Sequence, residues 1–105
     1  MIKAVVLIPV HDNRGRRFPK TVWIAFEERF LQFGGVSRMR RVEGIWRDAD
    51  RVYRDTSWEY VVALASWRQL ASWLDVVEWA RVAFGQEALY IEVNGAPEII
   101  GSPGG

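Results

Sequence analysis

Cysteine is absent from the 105-residue chain, which excludes disulfides, zinc-thiolate sites and thiol catalysis. Histidine occurs once, at His11, and neither sign of charge dominates: 14 Lys and Arg stand against 13 Asp and Glu, a formal net charge of +1. No global field therefore draws the chain towards nucleic acid or anionic lipid. No apolar run approaches the ~20 residues that a membrane-spanning helix needs. Pro9-Val10-His11-Asp12 follows the first apolar segment where an export signal would carry a small-residue cleavage site, so a cytoplasmic address is expected. Internal repeats are also missing.

What is present is ordinary globular composition with one exception. Half of the residues are hydrophobic, and the length suits one domain with one core. The exception is six tryptophans, more large rings than so small a domain buries easily.

Ile2 to Val10 is a short, β-branched run, apolar on both alternation faces (Ile2, Ala4, Val6 and Ile8; Val5 and Leu7), which predicts a strand covered on both sides. From Pro19 to about Phe33 the period becomes helical, with Val22, Phe26, Phe30 and Phe33 on one face beside Trp23. Pro19 suits the first turn and Gly34-Gly35 the stop. Val36–Arg47 and Arg51–Ala65 read as two strands joined at Asp48-Ala49-Asp50. Ser66 is the expected N-cap of a second helix reaching Phe84, with a core stripe of Trp67, Leu70, Leu74, Val77 and Phe84, and with Trp73 and Ala80 on its margin. Ala88–Val93 is the last strand, Asn94-Gly95 a turn, and 101–105 a flexible tail after a single domain over 1–100.

The order βαββαβ predicts an α+β, ferredoxin-like fold: a four-stranded antiparallel sheet, order 4-1-3-2, with both helices on one face. The other sheet face then lacks cover. Two helix positions away from the core, Trp79 on the second helix and the Ile24–Leu31 pair on the first, point the same way. Trp46, Trp58, Trp79 and Tyr90 are accordingly the candidate interface residues, and a homodimer is the expected partner arrangement.

Gly44 and Trp46, then Arg54, Asp55 and Ser57, then Phe84-Gly85-Gln86-Glu87 form a pattern G-x-W … R-[DE]-x-S … F-G-Q-E. Over residues 36 to 93 this resembles a family of small bacterial proteins, a domain-of-unknown-function family. The resemblance implies the order of elements and a bacterial origin, and carries no activity.

Three readings of function compete. The first is a homodimeric binding or regulatory module. The second is a small enzyme or small-molecule binder with its pocket at the sheet face or at the His11 end, for which His11, Arg54, Asp55 and Glu92 are the candidate polar groups. The expected topology brings the His11-Asp12-Asn13-Arg14 loop, Arg16 and Arg17 to the same sheet end as Arg47, Asp48, Asp50, Arg51, Gln86 and Glu87. The third, nucleic-acid binding by a basic hairpin (Arg38, Arg40, Arg41, Arg47, Arg51, Arg54), is disfavoured. The basic-Gly-aromatic signature of RNA-recognition modules is missing, and Glu43, Glu59 and Glu92 put negative charge on the sheet. No cofactor is expected, and Asp12, Asp48 and Asp50 form no ordered acidic loop for a metal.

Overall fold

A computed structural model describes residues 1–101. Its elements are β1 (Ile2–Pro9), α1 (Lys20–Glu28) running into a 3-10 turn (Arg29–Phe33), β2 (Ser37–Asp48), β3 (Arg51–Leu64), α2 (Trp67–Ala83), β4 (Ala88–Val93) and β5 (Ala96–Gly101). The strands form one antiparallel sheet in the order β2-β3-β1-β4-β5.

The first four strands follow the expected 4-1-3-2 order, but the sheet has five. Asn94 and Gly95 both adopt positive φ (50° and 83°), the geometry of a two-residue hairpin turn. The turn is tied to β1, because the Lys3 N–H donates to Asn94 Oδ1 (2.8 Å) and the Asn94 N–H donates to the Lys3 carbonyl (2.7 Å). The chain therefore doubles back, and Ala96–Gly101 pairs along β4. Pro97 disguised this strand, yet it is tolerated because β5 is an edge. The expected tail begins at Gly101, which closes β5; its other residues lie outside the described ones.

One sheet face carries the helices. Ile2, Ala4, Val6 and Ile8 of β1, with Tyr60, Val62 and Leu64 of β3 and Leu89 and Ile91 of β4, pack against Phe26, Phe30, Trp73, Val77, Ala80 and Phe84. Phe26 stands edge-on to Phe30, Tyr60 and Phe84, with ring centroids 5.0–5.7 Å apart. The first helical stretch stops at Gly34, whose φ of 93° a glycine adopts without strain. The second begins on the expected cap: Ser66 Oγ accepts from the Gln69 N–H (3.2 Å), and Gln69 Oε1 reaches back to the Ala65 N–H (2.7 Å).

The core stripe of α2 differs from the expected one. Trp73 is fully buried, with Val76, Val77 and Ala80, whereas Trp67 is 70% exposed. Trp67 precedes Trp73 by six residues, which turns it about 120° off the buried face. Trp79 is likewise not free: it packs at the margin of the core, with the Arg29 guanidinium 3.6 Å above its ring. Ile24 (45% exposed) and Leu31 (69%) do face outward as expected. No helix among the described residues is long and apolar enough to cross a membrane.

Candidate functional site

The face of the sheet away from the helices is bare, and alternation decides what it presents. Val5 and Leu7 of β1 stand between Ser57 and Glu59 of β3 and Tyr90 and Glu92 of β4, with Arg40, Val42, Gly44 and Trp46 of β2 beyond. These residues, with Asp55, line a concavity of about 360 Å³, edged by Glu43 and Ile45 of β2, which alternate onto the opposite face. Its floor is well covered: Val5 is 3% exposed and Ser57 6%.

Gly44 shapes one wall. It pairs with Asp55 across the β2–β3 ladder, and a methyl group on its Cα would stand 2.6 Å from Trp46 Nε1 and 2.8 Å from Asp55 Oδ1. The missing side chain is what lets the indole and the carboxylate close over this point. On the opposite wall the Tyr90 hydroxyl donates to Glu92 Oε1 at 2.8 Å. That bond to a carboxylate holds the Tyr90 phenol above its ordinary value, because ionising it would set two negative charges together.

The charge is uneven. Glu59 has its partner in Arg40 (3.4 Å), but among the described residues no cation lies within ion-pair distance of Asp55 or Glu92. The concavity thus combines two aromatic rings, a buried apolar floor and an excess of carboxylate. Among the described residues no cluster of three or more His, Asp or Glu side chains is arranged to hold a metal ion.

Of the sequence-derived candidates, Asp55 and Glu92 come together here and Trp46 and Tyr90 wall the same space. His11 does not join them: it is exposed, in an isolated bridge to Arg17. Arg54 pairs with Ile45 and so alternates onto the opposite side from Asp55. Trp58 belongs to the helix side, packed at the margin of the core under the guanidiniums of Arg38 (4.5 Å) and Arg41 (4.9 Å). Gly44, Trp46, Asp55 and Ser57, four positions of the G-x-W and R-[DE]-x-S pattern, all line the concavity. Glu59 was legible only as sheet charge, since its meeting with Glu92 on one face depends on β1 lying between β3 and β4.

The expected meeting of loops at the His11 end is only partly realised. Asp12, Asn13, Arg14 and Arg16 do line a shallow concavity with Phe84 and Gly85 at the end of α2. The β2–β3 turn is not there, because that hairpin runs on beyond β1. Asp12 has a structural task, its Oδ1 accepting from the Arg14 and Arg16 N–H groups (2.8 and 2.9 Å). Those bonds, that from Arg16 foremost, hold its carboxyl below the ordinary range.

No family model matches the chain, and no curated protein does. Solved structures of the same fold exist. A phage SAM lyase in complex with S-methyl-5'-thioadenosine superimposes with a TM-score of 0.72 at 14% identity, covering 96% of this chain and 89% of that one. The apo state of a phage SAM lyase gives 0.69 at 13%, with the same coverage. The divalent cation tolerance protein (Cut A1) from Thermus thermophilus gives 0.53 at 12%, covering 95% and 81%. At these identities the likeness is one of fold.

Proposed function

We propose that this chain is a small-molecule binding module that works as an assembly of identical copies, with its ligand held on the open sheet face. The observation that carries the reading is the concavity itself: Trp46 and Tyr90 on opposite walls, with Asp55 and Glu92 lacking cationic partners among the described residues. Its volume of about 360 Å³ suits a ligand of nucleoside size. The rings offer a flat group its stacking surfaces, and the carboxylates favour a positive charge beside it.

A flat heteroaromatic ring joined to a cation is therefore the ligand class. The phage SAM lyase with S-methyl-5'-thioadenosine supplies a concrete member. S-adenosylmethionine carries a sulfonium cation, whereas S-methyl-5'-thioadenosine is the corresponding neutral thioether. A pocket that selects for the charge binds the first more tightly than the second.

Isothermal titration with both compounds tests this. The expected result is binding of S-adenosylmethionine at least about tenfold tighter than of the thioether, a preference lost in Asp55→Asn and Glu92→Gln. Binding of neither compound at millimolar concentration, or equal affinities unaffected by the two substitutions, would sink the reading.

A further inference from the structure

The β2–β3 hairpin does not end where the sheet ends. Pro9 of β1 pairs with Ser57, and the Val10 N–H makes a last bond to the Thr56 carbonyl (2.9 Å). From there Gly44 to Asp55 continues as a ribbon of two strands alone, extending about 17 Å past the sheet. A two-stranded ribbon is marginal in water unless a face is packed. This one exposes apolar side chains on both sides: Ile45 (62% exposed) and Val52 (63%) on one, Trp46 and Tyr53 (44% each) on the other.

Alternation sorts its charges as well. Trp46 pairs with Tyr53 on the side that continues the open sheet face. Ile45 pairs with Arg54, and Arg47 with Val52, on the opposite side. That second side therefore presents two apolar groups and two guanidiniums. The open sheet face presents the complement: Leu7, Val61 and Ile99 around carboxylates without cation partners among the described residues. Within one chain these two surfaces point in opposite directions and cannot meet.

We propose that the free ribbon of one copy docks its Ile45–Arg47–Val52–Arg54 side on the open sheet face of a second copy, so that the ligand pocket is completed between two chains. The proposal rests on the pocket reading above for what is completed, but on the ribbon alone for the contact. The two guanidiniums meet an open face whose carboxylates without cation partners among the described residues are Asp55 and Glu92, so the two surfaces are complementary in charge. Such a contact joins unlike surfaces, so a closed assembly is either a reciprocal pair or a ring. Either closure buries the unpaired ribbon and the bare face together, and its charge component weakens with salt.

Because the chain has no cysteine, single-cysteine variants can place the contact. Val52→Cys mixed with Ile99→Cys and treated with a short bismaleimide should give a cross-linked pair at least about tenfold in excess of that from Val52→Cys mixed with Leu31→Cys on the helix side. Light scattering after gel filtration should show more than one chain for the native protein. The double variant Arg47→Glu/Arg54→Glu, checked for an unchanged far-ultraviolet spectrum, should associate at least about tenfold more weakly. A native protein with the mass of one chain at about 100 μM, or Val52→Cys coupling to Leu31→Cys rather than to Ile99→Cys, overturns the proposal. A single-chain species that still binds S-adenosylmethionine would overturn the docking and leave the pocket reading intact. An assembly with the expected cross-link that binds neither nucleoside would support the docking and remove the pocket reading.

Discussion

Tyr90 and Glu92 stand two positions apart on β4, on the same face, with the phenolic hydroxyl donating to the carboxylate at 2.8 Å. The bond fixes a ring and a charge in one wall of the open-face concavity, and it ties the titration of one group to the presence of the other. Replacing Glu92 by Gln removes the negative charge but keeps an acceptor, so Tyr90 should titrate at lower pH in Glu92→Gln than in the native protein. Nuclear magnetic resonance of the labelled tyrosine Cζ against pH measures this; an unchanged Tyr90 midpoint would show that the bond does not form in solution. The sign for stability follows: a raised folded-state pKa means that the bond's contribution is present below about pH 10 and is lost as pH rises through the folded value.

The second tyrosine–carboxylate bond lies on the other side of the sheet. Tyr60 is 1% exposed, and its hydroxyl donates to Glu27 Oε2 at 2.5 Å, joining β3 to α1. Burial first, and the bond to Glu27 second, push this phenol well above the ordinary tyrosine range. Tyr60→Phe should cost about 1–2 kcal/mol in chemical denaturation at neutral pH. The native protein should hold this contribution up to about pH 10 and lose it only as pH climbs towards the folded value, while Tyr60→Phe lacks that alkaline dependence.

The buried stripe of α2 is tested by two tryptophans. Trp73→Ala empties a fully buried site and should cost about 3–5 kcal/mol, or prevent folding. Trp67→Ala, at a position 70% exposed, should stay within about 0.5 kcal/mol of the native protein. Equal losses in urea unfolding would mean that the helix is turned differently on the sheet.

Gly44→Ala asks whether the Trp46–Asp55 wall matters to the ligand. The added methyl cannot coexist with both neighbours at 2.6 and 2.8 Å, so the indole or the carboxylate must move. S-adenosylmethionine affinity should fall at least about tenfold, with stability changed by less than about 1 kcal/mol because both groups can swing outward. Unaltered affinity would remove this wall from the site.

Much of the fold was legible because local patterns and the topology agreed. The two-sided apolar run of Ile2–Val10 predicted a central strand, and β1 does lie between β3 and β4. Ser66 and Gly34 marked helix ends through their own chemistry, an oxygen that accepts from a free N–H and a backbone free to take positive φ. β5 was missed because Pro97 argues against a strand only where both edges are paired, and edge position is a property of the sheet.

The site was legible in pieces. Asp55, Glu92, Trp46 and Tyr90 stood out as residues, but nothing in their order indicates that β1 separates two of them from the others, bringing all four to one face. His11 attracted notice as the lone histidine, and the structure leaves it on an exposed loop. The sequence by itself determined the element order, the apolar alternation and the absence of thiol chemistry, because these depend on neighbours along the chain. Only the tertiary structure decided that the β2–β3 strands outrun the sheet and that two carboxylates without cation partners among the described residues, Asp55 and Glu92, share its bare face. Both depend on where β1 stops and what it lies between, and strand pairing, not local preference, sets those limits.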